Sequence, residues 1–484
     1  MKILFNGVKM GYKQNMYRVI NIGDKFLVTT DHGSWVFLDT NQIRMLKNDM
    51  IKDNSKLFKI LEDVGVIITS ENIDNIIKKV RDKYSFLWQG TSLHIIVPTL
   101  RCNQKCVYCH ASSKPKDARG FDMNKATAKA TVDFIFQSPS DHIIIEFQGG
   151  EPLLNFEVVK YIINYANKLN KIYRKKLVFS IVSNFSLMDT GKMDYLIKNK
   201  IAVCTSLDGS EWLHNKNRPF PNSRGKTSYY YTKKWVKKIT EEYEKRGIKN
   251  RRANALITIT RYSLGHYKEN IDEYVSLGLT DIFLRFLNNL GCARKTWAAI
   301  SYSPEEFIDF WRKSMDYILG LNKNGIMIRE WFTWIMLQKI IKNVEPNFFD
   351  QRSPCGAAIG QIAYNYNGDI YTCDEARMIC EDIFRLGNVK ENKYKDVLSS
   401  NKVCAIMASS VNDVFICDQC AFKPYCGICP VCNYAEQGSI IGKISETARC
   451  KIFKAQFEYI FDKIVNDKEA NGIFLKWLDK NYPY

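Results

Sequence analysis

Three cysteines on one short segment carry the clearest chemical signal in the sequence. Cys102, Cys106 and Cys109 directly follow an apolar run and have the spacing C-x3-C-x2-C. Thiolates at this spacing can converge on a single iron–sulfur cluster. A four-iron cube held by three thiolates leaves one iron open to a chelating small molecule. A zinc site is the alternative, although structural zinc usually takes four protein ligands in two pairs.

Glycine and polar residues follow the next two apolar runs of the chain. Gly149 and Gly150 would let the backbone approach a ligand closely, and Glu151 offers an acceptor for an ammonium group. Ser183 and Asn184 end the third run and add further polar groups. Taken alone, the segment with Gly149, Gly150 and Glu151 is also compatible with a simple turn.

A second group of cysteines lies in the last third of the chain. Its members are Cys355, Cys373, Cys417, Cys420, Cys426, Cys429, Cys432 and Cys450. Clustered cysteines in a cytoplasmic protein bind metal more often than they form disulfides. The central spacing is more compressed than that of a zinc ribbon, although zinc stays an alternative. Cys204, Cys292 and Cys404 stand apart and are predicted to be small buried hydrophobic residues, while Cys380 is ambiguous.

Regular alternation of apolar runs and amphipathic stretches predicts an α/β fold that positions these residues. The predicted strands cover residues 93–97, 143–147, 177–182, 201–205, 255–259 and 282–286, and the predicted helices cover 125–136, 157–169, 192–198, 233–246 and 268–277. Six β/α units predict a parallel sheet with right-handed crossovers, curled into a partial (β/α)6 barrel. Chemistry in such barrels gathers at the C-terminal ends of the strands, where the first three cysteines and the glycine pair fall.

The barrel is predicted to span residues 86–310, between two other regions. Residues 1–85 show strands, then short helices and a return strand, the pattern of a winged-helix-like module whose charged segment 78–83 leads into the barrel. Residues 311–349 are predicted to form a helical bridge. Residues 350–484 form a cysteine-rich domain that ends in an amphipathic helix over about 451–465.

The composition is that of a soluble globular protein with about two to four domains. The 484 residues are 46% hydrophobic and 25% charged. No apolar stretch is long enough to span a membrane, and the run in residues 1–6 is too short for a secretory signal, so we expect a cytoplasmic location and no membrane partner. The net charge of +19 would attract anionic partners, although lysines spread along the whole chain are more typical of a solvated surface.

The first cysteine segment resembles the cluster motif of radical S-adenosylmethionine (SAM) enzymes, including the aromatic Tyr108 before the third cysteine. The resemblance implies one [4Fe-4S] cluster whose open iron binds SAM. It also implies reductive cleavage of SAM to methionine and a 5′-deoxyadenosyl radical, which abstracts hydrogen atoms. Roles in SAM binding are implied for Tyr108, Gly149, Gly150, Glu151, Ser183 and Asn184.

The second cysteine group resembles the SPASM extension of radical SAM enzymes, which carries one or two auxiliary [4Fe-4S] clusters. The resemblance assigns one cluster to Cys417, Cys420, Cys426 and Cys450. It assigns another to Cys355 and Cys373 with Cys429 or Cys432. The cysteine expected shortly after Cys355 is missing, since Gln361 stands there, so one auxiliary site would have an open iron or be absent.

Longer segments resemble the radical SAM maturases of the His-Xaa-Ser system. These segments are residues 146–156, 206–209, 214–219, 363–369 and 374–378. The resemblance implies a precursor peptide or small partner protein as substrate and a low-potential electron donor of the flavodoxin or ferredoxin type. Asp374, directly after Cys373, would be the general base, as in sulfatase-maturing relatives, with a solvated loop aspartate as the alternative. The N-terminal unit resembles peptide-recognition modules that add a leader to a sheet edge, with a purely structural subdomain as the alternative.

Two other functions stay open on the sequence alone. A radical SAM enzyme that modifies tRNA or another nucleic acid is favoured only by the positive net charge. A non-catalytic electron carrier needs no open iron, so the SAM motifs argue against it.

Overall fold

The structure is a computed structural model that describes residues 11–221, 225–248, 251–346 and 351–479. The apolar run at residues 1–6, which bears on the prediction about a secretory signal, lies outside these residues. Within the described part of the chain, no helix combines the length and the apolar character that a bilayer crossing requires.

The N-terminal unit contains a β-meander followed by short helices. Its strands are β1 (Lys13–Gln14), β2 (Tyr17–Ile22), β3 (Lys25–Thr30), β4 (Trp35–Leu38) and β5 (Ile67–Ile68), and its helices are α1 (Thr40–Lys47), α2 (Ser55–Asp63) and α3 (Ile73–Lys83). Strands β2, β3 and β4 pair antiparallel in that order, and β5 returns to pair with β1. The predicted order of strands, short helices and a return strand is confirmed, and α3 follows the return strand.

The charged segment 78–83, expected to lead into the barrel, is the last part of α3. Ile73, Ile76, Ile77 and Val80 have the i, i+3, i+4, i+7 spacing of an apolar helical stripe, and Ile76 is buried. The lysines therefore lie on a helix rather than on an extended connection.

The barrel is a parallel sheet whose strands alternate with helices. The strands of this region are β6 (Leu93–Thr99), β7 (Arg101–Cys102), β8 (Lys114–Pro115), β9 (His142–Gly149), β10 (Lys176–Val182), β11 (Ala202–Ser206), β12 (Asn254–Thr258), β13 (Asp281–Ile282) and β14 (Leu284–Arg285). Its helices are α4 (Lys125–Ile135), α5 (Phe156–Tyr173), α6 (Thr190–Lys198), α7 (Glu211–Asn217), α8 (Ser228–Lys245), α9 (Tyr267–Ser276) and α10 (Ala293–Ile300). Strands β6, β9, β10, β11, β12 and β14 lie side by side and parallel. The predicted partial barrel is confirmed, with its sixth strand split into β13 and β14.

Alternation along the strands separates the helix-facing core from the inner wall of the barrel. On β9, Ile143, Ile145 and Phe147 belong to the main hydrophobic core, whereas Glu146 and Gln148 line an internal cavity. Successive side chains of a strand point to opposite faces of the sheet. The polar residues of β9 are therefore directed into the barrel.

Helices dominate the segment between the barrel and the cysteine-rich region. The elements there are α11 (Pro304–Lys323), β15 (Arg329–Glu330) and α12 (Trp331–Ile341). A capping box begins α11, because Ser303 and Glu306 each accept a hydrogen bond from the other's backbone N–H. The later helices are α13 (Asp374–Ile379), α14 (Tyr394–Leu398), α15 (Asn401–Ser409), α16 (Phe415–Asp418), α17 (Pro430–Gln437), α18 (Ala448–Asn466) and α19 (Lys468–Trp477). Helix α18 confirms the predicted amphipathic helix, and α19 is additional.

The barrel sheet continues into the cysteine-rich region. Strand β16 (Gln361–Tyr364) pairs parallel with β6, and β17 (Asp369–Tyr371) and β18 (Arg385–Asn388) follow antiparallel. Among the described residues this gives a nine-stranded sheet. This extension of the sheet pairs Ala363 with Ile95, which lies far away along the chain. The sequence therefore did not predict it.

Candidate functional site

The three-cysteine loop (residues 102–109) packs directly on the glycine pair that follows β9. The backbone N–H of Gly150 donates to the carbonyl of Thr99 at 2.9 Å, and the N–H of Glu151 donates to the carbonyl of Arg101 at 2.8 Å. A Cβ atom added at Gly150 would lie 2.1 Å from the Arg101 carbonyl oxygen. Glycine is therefore required for this close approach between the two loops.

The Glu151 side chain joins the loop after β9 to the loop after β10. Its buried carboxylate accepts hydrogen bonds from the N–H of Leu153 at 3.0 Å, the hydroxyl of Ser183 at 2.8 Å and the N–H of Asn184 at 2.8 Å. Burial raises the pKa of this carboxyl, and the hydrogen bonds partly offset the rise. The structure thus gives Glu151 protein partners, and its predicted contact with an ammonium group stays a prediction.

Hydrogen-bond donors adjoin the thiols of the three-cysteine loop. The side-chain amide of Asn184 lies 3.9 Å from Sγ of Cys102, and the N–H of Gln104 donates to the same sulfur at 3.5 Å. The hydroxyl of Ser113 lies 3.2 Å from Sγ of Cys109. Such donors favour the thiolate, which is the form that binds metal.

Burial opposes ionisation of two of these thiols when no metal is bound. It raises the pKa of Cys106 to about 11, an effect that the positive charge of Arg218 reduces. It also raises the pKa of Cys102, and the neighbouring Cys106 adds to the rise. Metal coordination deprotonates thiols, so these cysteines fit ligands whose charge is compensated by a bound cluster.

A further cysteine, Cys292, adjoins the three-cysteine loop. Its backbone N–H donates to the carbonyl of Cys109 at 2.8 Å, and a hydrogen bond from the Cys292 thiol lowers the pKa of the Cys109 thiol. The prediction that Cys292 is isolated is therefore wrong; its position after β14, at the same edge of the sheet, was the available signal. Cys404 is exposed rather than buried, as is Cys380, and Cys204 lines the barrel cavity.

Tyr108 is buried and hydrogen-bonded to a charged pair. Its hydroxyl lies 2.6 and 2.8 Å from the two carboxylate oxygens of Asp208, and Nε of Arg218 donates to the hydroxyl oxygen at 2.8 Å. Arg218 also lies 3.3 Å from Asp208. Burial raises the pKa of Asp208, and Arg218 partly offsets the rise. The sequence gave neither residue a role, although both lie in segments 206–209 and 214–219, which carried the family resemblance.

A cavity of about 630 Å³ lies inside the barrel, next to the three-cysteine loop. The predicted site residues that line it are Cys102, Cys106, Tyr108, Cys109, Gly149, Gly150, Ser183, Asn184 and Asp374. Residues that the sequence did not assign to a site also line it, among them Glu146, Cys204, Arg285 and Glu375. The structure thus brings the SAM-type motifs and the start of the cysteine-rich region to one cavity.

Asp374 is buried at the beginning of α13 and is 5% exposed. Its Oδ1 accepts a hydrogen bond from Nε of Arg377 at 2.9 Å, and the same guanidinium pairs with it at 2.8 Å. The next residue, Glu375, pairs with Arg285 of β14 at 3.3 Å. The alternative of a solvated loop aspartate is therefore wrong, and a role as general base stays a prediction.

One set of cysteines from the second group meets around a second cavity, of about 510 Å³. Cys417, Cys420, Cys426 and Cys450 line this cavity, and Cys429 borders it as well. Burial raises the pKa of Cys426, and its three neighbouring thiols in the set add to the rise. Thiols affect one another in this way only when they lie close together. The structure therefore brings together the four cysteines that the resemblance grouped.

A different set lies in a buried apolar cluster between α13 and α17. Its cysteines are Cys355, Cys373, Cys429 and Cys432. The N–H of Cys432 donates to Sγ of Cys429 at 3.4 Å, and the N–H of Ala376 donates to Sγ of Cys373 at 3.4 Å. Cys429 and Cys432 thus lie together in this set, whereas the resemblance required only one of them. Gln361, which replaces an expected cysteine, instead lines the barrel cavity.

In the ranges that the structure describes, no three His, Cys, Asp or Glu side chains are spaced to hold a single metal ion. The proposals for cysteine ligands therefore rest on donor chemistry, shared location and hydrogen bonding around the sulfurs.

Comparison with known families identifies the class of the barrel region. Residues 96–278 match the family model described as the radical SAM superfamily. This part of the chain is a radical SAM domain, and the chain is an enzyme with a mainly parallel α/β fold. Enzymes with a radical SAM domain use SAM and a [4Fe-4S] cluster, and the donors that line the barrel cavity fit both.

Known relatives extend beyond that domain. A cysteine-type anaerobic sulfatase-maturating enzyme of Clostridium perfringens is 26% identical over 385 residues, which cover 77% of this chain and 96% of that protein. The solved structure of native anSMEcpe with bound AdoMet is similar with a TM-score of 0.66 at 22% identity, and covers 79% of this chain and 100% of that chain. Streptococcus suis SuiB bound to precursor peptide SuiA gives a TM-score of 0.54 at 14% identity, with 89% and 98% coverage. The two solved structures share the fold of this chain.

Proposed function

We propose that this enzyme cleaves SAM reductively and uses the product to modify a ribosomally made peptide or small protein. The observation that carries the proposal is the single barrel cavity shared by the three-cysteine loop, the glycine pair and Asp374. A cavity of about 630 Å³ has the size of a typical ligand site. The relatives named above include an enzyme that matures sulfatases and one bound to a precursor peptide, which supports a peptide as the substrate.

In this proposal, Cys102, Cys106 and Cys109 hold a [4Fe-4S] cluster with an open iron. When bound, this cluster and SAM would supply a 5′-deoxyadenosyl radical that abstracts a hydrogen atom from the substrate. The remaining SAM contacts are assigned to Tyr108, Gly149, Gly150, Glu151, Ser183 and Asn184. Of these, Glu151 acts mainly by fixing the loops after β9 and β10, since its carboxylate accepts three hydrogen bonds from them.

Asp374 is proposed to accept a proton from the substrate after hydrogen abstraction. Support comes from its position in the cavity wall and from Arg377, which orients its carboxylate. Because Asp374 directly follows Cys373, proton uptake and electron uptake would take place side by side. A carboxylate at this position suits general base catalysis.

The second cysteine group is proposed to hold two auxiliary [4Fe-4S] clusters. One set comprises Cys417, Cys420, Cys426 and Cys450, and the other comprises Cys355, Cys373, Cys429 and Cys432. Four thiolates are the usual complement of such a cluster. With four cysteines in each set, neither auxiliary cluster needs an open iron, which suits electron transfer.

The finer proposal is a maturase of a His-Xaa-Ser system, with a low-potential flavodoxin or ferredoxin as electron donor. The N-terminal unit is proposed to bind the leader of the substrate, since β2 and β4 are the outer strands of its meander and an extended peptide can add to such an edge. A cytoplasmic location is proposed because clustered thiols that bind iron belong to reducing compartments.

Peptide modification can be tested with the anaerobically reconstituted enzyme, SAM, dithionite and a synthetic precursor that contains His-Xaa-Ser repeats. We expect a mass change in the peptide that is lost in Cys106→Ala and kept in Cys404→Ala, because Cys404 is exposed and lies outside both cysteine groups. An unchanged peptide combined with salt-sensitive modification of tRNA would replace the proposal with the nucleic-acid function that the net charge of +19 favours.

A further inference from the structure

Glu146 occupies the inner wall of the barrel, away from the residues assigned to SAM. It lies on β9, where it is in register with Ile95 of β6 and Ser180 of β10. It precedes Gly149 by three positions, so at the rise of a β-strand it lies about 10 Å deeper in the barrel. A group that reaches Glu146 must extend past the strand ends into the cavity.

The Glu146 carboxylate has acceptor capacity that the protein does not fill. The side-chain amide of Gln148 donates to Oε1 at 2.6 Å, and the hydroxyl of Ser180 donates to Oε2 at 2.9 Å. An ionised carboxylate offers about four acceptor sites. Each oxygen of Glu146 therefore has one neutral donor from the protein and room for another donor from the cavity.

Among the described residues that line the cavity, Glu146 is the one carboxylate that has no cationic partner within 4.0 Å. Asp281 pairs with Arg329 at 2.7 Å, and Glu375 pairs with Arg285 at 3.3 Å. Asp374 pairs with the Arg377 guanidinium. The charge that acts on Glu146 is the like charge of Asp374, which adds to the rise in pKa that burial causes. Glu146 is partly buried, and withdrawing a carboxylate from water without a counter-charge is costly unless a ligand supplies one.

We propose that Glu146 anchors a cationic side chain of the peptide substrate, with an ammonium, guanidinium or imidazolium group donating to its free acceptor sites. This inference rests on the proposed peptide-modifying function. When Glu146 holds the cationic group, the rest of that substrate side chain extends from the depth of Glu146 towards the strand ends. Glu146 thereby selects which residue of the peptide enters the cavity.

The alternative source of a cation is SAM itself, whose amino and sulfonium groups are positive. The residues assigned to SAM lie at the strand ends, about 10 Å from Glu146 along β9. A substrate side chain therefore fits the position of Glu146 better than SAM does. If SAM supplied the cation, loss of the Glu146 charge would weaken SAM binding. If the substrate supplies it, SAM binding should be unchanged.

A binding experiment without reductant tests this inference independently of catalysis. The reconstituted enzyme with SAM is equilibrated with an equimolar pool of blocked pentapeptides that differ only in a central Lys, Arg, His, Gln or Asp. Retained peptides are separated by ultrafiltration and quantified by mass spectrometry. We expect at least one cationic peptide to be retained about tenfold more than the Gln peptide, since hydrogen bonds to charged groups are worth that much.

Glu146→Gln should abolish the preference and leave the affinity of SAM unchanged, and Glu391→Gln, at an exposed position, should leave both unchanged. Glu146→Asp keeps the charge and should keep the sign of the preference, which provides a second variant if Glu146→Gln does not fold. No preference in the wild type, an equal preference in Glu146→Gln, or a loss of SAM affinity would each overturn the inference. Failure of peptide modification would overturn only the proposed function, since binding is measured without turnover.

Discussion

The hydroxyl oxygen of Tyr108 lies 2.6 Å from Oδ2 of Asp208, which joins the three-cysteine loop to the loop after β11. Arg218, at the end of α7, contacts both residues, at 2.8 Å from the hydroxyl and 3.3 Å from the carboxylate. Asp208 is fully buried, so its charge depends on these two partners. The position of the cluster-binding loop is therefore coupled to a buried ion pair.

We expect Arg218→Met to lower the free energy of unfolding by about 3–5 kcal/mol, because it leaves the Asp208 carboxylate buried without its cation. Tyr108→Phe removes one hydrogen bond and should cost about 1–3 kcal/mol. Urea unfolding of the cluster-free protein measures both changes. Arg119→Met, at an exposed position, is the control, and an effect of Arg218→Met no larger than that of the control would contradict the coupling.

Gly150→Ala should prevent normal docking of the three-cysteine loop, since its Cβ would lie 2.1 Å from the Arg101 carbonyl oxygen. Both iron content and SAM affinity should fall after anaerobic reconstitution. Gly265→Ala is the matched control, because an added Cβ there meets no atom within 4 Å. Equal iron content and SAM affinity in the two variants would show that the close approach is not needed.

Two complete auxiliary sets, together with the cluster of the three-cysteine loop, predict an iron content of about twelve per chain, at about four per cluster. Cys429→Ser and Cys432→Ser should each lower the iron content, because both thiols belong to the set with Cys355 and Cys373. Iron analysis with Mössbauer spectroscopy measures this change. Cys404→Ser should keep the full content, and a Cys429→Ser variant with unchanged iron and spectra would remove Cys429 from the ligand set.

His94 predicts a pH dependence of stability. Burial lowers its pKa to about 3 in the folded protein, whereas an unfolded histidine has a pKa of about 6.5. Below pH 6.5 the unfolded state therefore binds more protons, and the stability that His94 contributes is lost as the pH falls towards 3. Between pH 7.5 and 5, wild type should lose about 2 kcal/mol more stability than His94→Gln in urea unfolding. Equal losses in the two proteins would contradict a buried neutral His94.

The sequence was sufficient for the barrel and for the motifs at the ends of its first three strands. Every second side chain of the parallel strands packs against the helices, so apolar residues recur along each strand, and the motifs at the strand ends fall in the cavity as predicted. Strands, helices and short motifs can be predicted from a single sequence because they are determined mainly by residues that are neighbours along the chain. The same reasoning predicted the short helices α1 and α2 of the N-terminal unit, although it missed α3.

Contacts between segments far apart in the chain could not be predicted in this way. Tertiary packing determines the pairing of β16 with β6 and the approach of Cys292 to Cys109. It also determines that the cations near the cavity pair with carboxylates other than Glu146. The placement of Cys429 and Cys432 is of the same kind. The family resemblance left them as alternatives, whereas the fold places both in the buried apolar group that also holds Cys355 and Cys373.

The most direct test of the central proposal is the detection of 5′-deoxyadenosine by mass spectrometry after anaerobic reconstitution with iron and sulfide, followed by addition of SAM and dithionite. We predict that wild type and Cys404→Ala form 5′-deoxyadenosine and methionine, and that Cys106→Ala forms neither. Formation of no 5′-deoxyadenosine by a wild-type protein that has taken up its full complement of iron would contradict the proposal of SAM cleavage at the three-cysteine loop.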